Sequence, residues 1–116
     1  MSTIERHGVT ERYADAVVHA GVIHLVEVPS SSDTDITTQT TEVLASVDRQ
    51  LTQLGSGRDR ILMATLYLTD FSDYDAMNAV WDAWIPDGSA PARACVEVAG
   101  LADPGWRVEI ALSAAR

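Results

Sequence analysis

Ile61-Leu62-Met63-Ala64-Thr65-Leu66-Tyr67-Leu68 is the stretch that decides the fold, because both of its alternating sets of side chains are largely apolar. Successive side chains of a β-strand point to opposite faces, so a strand with one face in water alternates apolar and polar residues. A short apolar run without that alternation is typical of a strand in the interior of a sheet. We therefore predict a central strand over residues 61–68.

An amphipathic helix is predicted before this strand. From Ile36 to Leu54, apolar side chains recur every three or four residues, and Gly55 follows at the position where helices often end in a left-handed residue. Asp33, Thr34 and Asp35 are the candidate N-caps. A helix of about 20 residues is long enough to span roughly 30 Å of sheet.

A second helix is predicted after the strand, beginning near Asp70 or Ser72 and stopped by Pro86-Asp87-Gly88. An apolar stripe along one side of this helix would face the sheet. Its members are Phe71, Tyr74, Met77, Val80, Trp81 and Trp84. The two tryptophans are most simply explained by core packing.

The remaining apolar runs predict four further strands. Residues 14–19 and 22–28 flank Ala20-Gly21 as a β-hairpin, and residues 1–12 form an arm or an edge strand. Near the C-terminus, residues 93–98 and 107–113 are joined through a Pro-Gly turn. The order ββαβαββ indicates the α+β class, with both helices packed on one face of a mixed sheet.

Length and composition favour one cytoplasmic domain. The 116 residues fit a single domain over 1–116, and the hydrophobic fraction of 47% is ordinary for a soluble globule. No apolar run approaches the roughly 18 residues of a membrane helix, and charged residues among the first 20 do not resemble a signal peptide. The single cysteine, Cys95, agrees with a reducing compartment.

The charge balance disfavours nucleic acid as a partner. Seventeen acidic and eight basic residues give a formal net charge of -9, which repels phosphate backbones unless the basic residues cluster. Only Arg58 and Arg60 lie close together in sequence. A small anionic substrate remains compatible with the charge, because one arginine can dominate a local potential.

Arg93 is the first candidate site residue, since it lies on an apolar strand without an adjacent acid. Alternation sends Arg93, Cys95 and Glu97 to one face, but Glu97 is too far along the strand to be a good partner. A guanidinium can bind a carboxylate through two parallel hydrogen bonds. The alternatives are an ion pair with another strand or a side chain that extends to water.

Glu109 and Cys95 could join Arg93. If the two C-terminal strands are hairpin partners, Arg93 and Glu109 could project from the same side, either as an ion pair or as a site in which Glu109 holds a water. A nucleophilic role for Cys95 has little support, because no histidine is near in sequence. His7, His19 and His24 lack the spacing of a zinc site, so we predict no metal.

Several of these stretches resemble the RidA family, also called YjgF or L-PSP proteins. Its C-terminal signature is similar to residues 93–98, Leu101 and residues 107–110, and its strand-to-helix passage is similar to residues 66–74 followed by Met77-Asn78. Tyr13 is at the position of an N-terminal active-site tyrosine. The similarity is greatest to the YoaB-like branch of the family, which shares Trp81-Asp82-Ala83-Trp84 and Ala90-Pro91. The resemblance covers nearly the whole chain.

The resemblance implies a chorismate-mutase-like fold, a homotrimer with clefts between subunits, and cofactor-free hydrolysis of reactive 2-imino acids to 2-keto acids and ammonia. Carried over to this chain, Arg93 binds the substrate carboxylate and Glu109 positions the attacking water and transfers protons. The backbone at Cys95 contacts the imine nitrogen, while Tyr13 and Asn78 shape the pocket. These assignments are expectations from the family.

The chain departs from the family pattern in two places. Val26-Glu27-Val28 stands where Ser-Gly-Gln is usual, and Glu11-Arg12 replaces the Gly-Pro before the tyrosine. Both changes concern the substrate range more than the arginine chemistry. Two alternatives therefore stay open, a non-catalytic trimer that binds small carboxylates and regulates, and a ribonuclease or translation inhibitor, which the charge disfavours.

Overall fold

The computed structural model describes residues 3–116, which form a six-stranded mixed sheet with two helices. The strands are β1 (Glu5–His7), β2 (Ala16–His19), β3 (Val22–Glu27), β4 (Ile61–Leu68), β5 (Ala92–Glu97) and β6 (Val108–Ala115), and the helices are α1 (Ile36–Gln53) and α2 (Tyr74–Trp84). Across the sheet the order is β1-β2-β3-β6-β4-β5. The predicted α+β class is confirmed, and the N-terminal arm is an edge strand.

The core lies between the helices and one face of the sheet. Alternate side chains of the inner strands are buried on this face, including Ile23, Leu66 and Ile110, which are all 0% exposed. The opposite face, which we call the open face, is not covered by any element within residues 3–116. Large apolar side chains are exposed on it at Val26, Met63 and Val96.

Local signals position the first half of the chain as predicted. Ala20 and Gly21 both have positive φ (51° and 78°), as expected for a tight turn between hairpin strands β2 and β3. Of the three candidate caps, Asp35 is the N-cap of α1, where its carboxylate accepts a 2.7 Å hydrogen bond from Thr38 N. Gly55 has a φ of 80° just after α1, in the left-handed region expected there.

The predicted central strand is confirmed, but the pairing expected for the C-terminal strands is wrong. β4 lies between β6, to which it is antiparallel, and β5, to which it is parallel. β5 and β6 are therefore not hairpin partners. The physical reason is burial, because β6 lies between β3 and β4 and buries four apolar side chains of its own there, namely Val108, Ile110, Leu112 and Ala114.

The second helix differs from its predicted stripe. A single 3-10 turn (Phe71–Asp73) precedes α2, and Phe71 and Tyr74 are exposed and pack against each other with ring centroids 5.7 Å apart. Met77 and Trp81 are the buried residues of α2. Within residues 3–116, no helix has both the length and the apolar character needed to cross a membrane.

Candidate functional site

Arg93 lies on the helix-facing side of edge strand β5. Its strand partner is the buried Ala64, and its guanidinium carbon is 5.2 Å from the centroid of the Trp81 ring, a cation–π distance. None of the ion pairs formed within residues 3–116 involves Arg93. Glu97 instead accepts a 2.8 Å hydrogen bond from Phe71 N. The guanidinium is therefore available for an anion.

Cys95 and Asn78 lie on the same side of the sheet as Arg93. Cys95 follows Arg93 on the same face of β5 and packs against the core, whereas Asn78 is one turn before Trp81 on α2. The Oδ1 atom of Asn78 is buried and has no hydrogen-bond partner in the described part of the chain. We call Arg93, Cys95 and Asn78 the arginine half-site.

The thiol of Cys95 is poorly suited to act as a nucleophile. Burial raises the pKa of Cys95, and the charge of Arg93 only partly opposes this rise. Because the thiolate is the reactive form, a raised pKa lowers reactivity. The burial therefore agrees with the weak support that the sequence gave to a nucleophilic role.

Tyr13 and Glu109 meet at a separate cleft of about 460 Å³, which we call the Glu109 cleft. Three acidic residues line it, namely Asp15, Glu27 and Glu109. Its apolar and aromatic walls are Tyr13, Ala14, Val26, Val28, Ala102 and Trp106. No basic side chain from residues 3–116 lines this cleft, so it offers no partner for a substrate carboxylate.

The two groups of predicted site residues lie on opposite faces of the sheet, contrary to the expectation that Arg93 and Glu109 share one side. Glu109 pairs across the strands with Tyr67, whereas Arg93 pairs with Ala64. Adjacent strand partners share a face, and Ala64 and Tyr67 are an odd number of residues apart on β4. One chain therefore holds the arginine half-site and the Glu109 cleft apart.

Glu27 is the unusual carboxylate of the cleft. Burial is the main cause that raises the pKa of Glu27, and the negative charge of Asp15 adds to the rise. A side-chain hydrogen bond with Gln50 and the positive charge of Arg49 oppose it. A carboxyl whose pKa is raised on folding stabilises the protein below its unfolded pKa. That stability is lost as the pH rises through the folded pKa.

We expect Glu27→Gln to raise the free energy of unfolding at pH 7 and to flatten its decline with pH above the reference value of 4.5. Glu42→Gln is the matched control, because hydrogen bonds from Ser31 are the main cause that lowers the pKa of Glu42. This substitution should therefore lower, not raise, the free energy of unfolding at pH 7. Urea unfolding of both variants between pH 4 and pH 8 measures the difference. A destabilised Glu27→Gln variant at pH 7 would contradict the assignment.

Trp106 and Ala102 line the cleft but were not identified from the sequence. Both belong to the loop between β5 and β6, where the sequence signals were Leu101 and the turn at Pro104-Gly105. A turn signal indicates where the chain reverses, but it does not indicate which cavity the neighbouring side chains line.

The fold, the arginine half-site and the Glu109 cleft define an α+β protein with one open sheet face and a cleft of small-molecule size. A family model described as endoribonuclease L-PSP matches residues 3–116. The chain is 42% identical over 113 residues to the RutC family protein YoaB of Escherichia coli (strain K12), covering 97% of this chain and 98% of YoaB.

Solved structures agree with these matches. A YjgF family member from Neisseria meningitidis, NMB1025, superposes with a TM-score of 0.93 at 47% identity, covering 98% of this chain and 95% of that one. YyfA of the Rid protein family from Yersinia pestis superposes with a TM-score of 0.87 at 27% identity, covering 93% and 90%. The chain belongs to the RidA (YjgF/L-PSP) family, as its sequence motifs predicted.

Proposed function

We propose that this protein is a cofactor-free hydrolase that converts reactive 2-imino acids to 2-keto acids and ammonia. The observation that carries the proposal is the unpaired guanidinium of Arg93 on β5, set against a Glu109 cleft without any basic side chain in the described chain. Each half-site lacks the charge that the other has. Membership of the RidA family supports the same reaction class.

The complete site is proposed to form between copies of the chain. One chain cannot bring Arg93 to Glu109, because the sheet separates them, whereas a neighbouring copy could supply the missing half. The exposed apolar side chains of the open face, among them Val26, Met63 and Val96, favour such self-association. We propose a homotrimer, the closed assembly that the family resemblance implies, and mass measurement in solution tests it.

In the proposed reaction, Arg93 of one copy binds the substrate carboxylate in two parallel hydrogen bonds. Glu109 of the neighbouring copy takes a proton from a water whose oxygen bonds to C2 and passes it to the imine nitrogen, so that the C=N double bond becomes a C–NH2 single bond. Glu109 then takes the proton of the new hydroxyl group and passes it to the same nitrogen. The C–N bond breaks as the C–O bond becomes a carbonyl, and a keto acid and ammonia are released while Glu109 returns to its ionised form.

The remaining site residues have supporting roles in the proposal. The backbone at Cys95 contacts the imine nitrogen, and Asn78 and Tyr13 shape the pocket from the two sides. The protein mainly supplies orientation and electrostatic stabilisation, since imines already hydrolyse in water. The buried, unpartnered Oδ1 of Asn78 supports a role in binding a hydrogen-bond donor.

The direct test generates 2-imino acids with an amino-acid oxidase and traps them with semicarbazide. The protein should compete with the trap and lower the yield of semicarbazone. If it never competes while calorimetry detects keto-acid binding, the chain is a carboxylate-binding regulatory protein. RNA binding that survives about 0.2 M salt would instead favour the activity in the family model's description, which the net charge of -9 disfavours.

We expect Cys95→Ser to retain activity of the same order of magnitude as the wild type, because partial burial raises the pKa of the Cys95 thiol and favours its protonated form. Competition with semicarbazide by this variant provides the measurement. Loss of activity at matched folding, judged by circular dichroism, would show that the sulfur takes part.

A further inference from the structure

The loop between β5 and β6 is fixed to α1 by a buried side chain. Gln39 is 0% exposed; its Nε2 donates a 2.9 Å hydrogen bond to Gly105 O, and its Oε1 accepts a 2.7 Å hydrogen bond from Arg107 N. Gly105 O also accepts a hydrogen bond of 3.1 Å from Asp33 N. Trp106, the residue between these two anchors, therefore has a fixed backbone.

A second anchor follows directly. Arg107 donates hydrogen bonds of 2.9 and 3.0 Å to the two carboxylate oxygens of Asp73, which is buried at the start of α2. Gly105 packs so closely that a Cβ there would lie 2.8 Å from Asp33 N. Fixed walls discriminate between ligands better than mobile ones, because no ordering cost offsets the contact.

Trp106 is one of the apolar and aromatic residues that line the Glu109 cleft. Two of the three carboxylates also have neighbours outside the cleft, since Asp15 lies against Gly8 and Glu27 contacts Gln50 of α1. Glu109 is left for the reaction. The rest of the Glu109 cleft is apolar or aromatic, and its volume of about 460 Å³ is far larger than a three-carbon acid requires.

We propose that Trp106 is a specificity-determining residue that selects 2-imino acids with a branched or aromatic apolar side chain. This inference rests on the proposed function, because it concerns the same cleft. The indole face gives apolar contact to a larger side chain and nothing to a methyl group. Trp106 also lines a second, mainly polar cavity, together with Asp70 and Arg107.

The test compares imines derived from alanine, leucine and arginine. With the wild-type protein, kcat/KM for the leucine-derived imine should exceed that for the alanine-derived imine by at least about tenfold, the usual discrimination of an apolar pocket. Trp106→Ala should bring the ratio close to one by lowering only the leucine value. Trp106→Phe, which keeps an aromatic wall, should retain most of it.

A second variant protects the test against misfolding of Trp106→Ala. Ala102 is exposed on the same cleft, and Ala102→Phe should fill the space and selectively slow the leucine-derived imine. If no imine is hydrolysed above its spontaneous rate, the proposed function itself fails. Equal rates for the alanine and leucine imines, or a faster arginine imine, overturn the role of Trp106 while leaving hydrolysis in place.

Discussion

Arg93→Ala is expected to lower kcat/KM for 2-imino acid hydrolysis by at least about a hundredfold, because the substrate would lose the group that orients its carboxylate. The guanidinium has no ion pair to lose within residues 3–116, only its cation–π contact with Trp81, so the effect should fall mainly on activity and only slightly on stability. Competition with semicarbazide measures activity, and thermal unfolding measures stability.

Two substitutions are controls for this prediction. Arg93→Lys keeps the charge but not the planar fork, so it should restore only part of the lost activity. Arg60→Ala removes an exposed arginine whose hydrogen bonds go to backbone oxygens at the C-terminus, and it should leave kcat/KM nearly unchanged. Wild-type activity in Arg93→Ala would move the carboxylate site elsewhere and end the proposed mechanism.

A mixing experiment separates a site between copies from a site within one copy. Arg93→Ala and Glu109→Gln should each be inactive alone, but trimers refolded from an equal mixture should recover about a quarter of the wild-type activity. Each complete site needs one intact arginine donor and one intact glutamate donor, each with an even chance. No recovery, with mixed trimers verified by mass, would contradict a shared site.

The fold could be predicted from sequence where the signal was local. The apolar run at residues 61–68 predicted an interior strand, and β4 lies between β5 and β6 in the sheet. Asp35 and Gly55 mark the two ends of α1 through their own side-chain and backbone properties. Strand pairing depends on which distant segments bury each other, and the insertion of β6 between β3 and β4 left no local trace.

The candidate site followed the same division. The motifs predicted Arg93, Glu109 and Tyr13 as site residues, but strand alternation could not assign Arg93 and Glu109 to opposite faces until the partner of each strand was known. The apolar side chains on the open face of β4, including Met63, were visible in the sequence. Its exposure became evident only once both helices were found on the other face.

Gln39→Leu is expected to lower the free energy of unfolding by about 2–4 kcal/mol, because a leucine of similar size leaves backbone polar groups at Gly105 and Arg107 without their partner. Arg107 N has the larger share of this cost, since Gly105 O keeps its hydrogen bond from Asp33 N. Urea unfolding measures the change. The wild type and the variant are compared at equal chain concentrations, because assembly makes apparent stability depend on concentration.

Gln53→Leu is the matched control for that change, because it makes the same substitution at an exposed position of the same helix and should stay within about 0.5 kcal/mol of the wild type. If Gln39→Leu is no more destabilising than this control, the buried amide does not fix the loop. If Gln39→Leu is clearly more destabilising than Gln53→Leu, the loop that bears Trp106 is held to α1 chiefly through the side chain of Gln39. The preference for leucine over alanine imines should then fall together with stability in Gln39→Leu, since Trp106 can select a substrate only while its backbone is fixed.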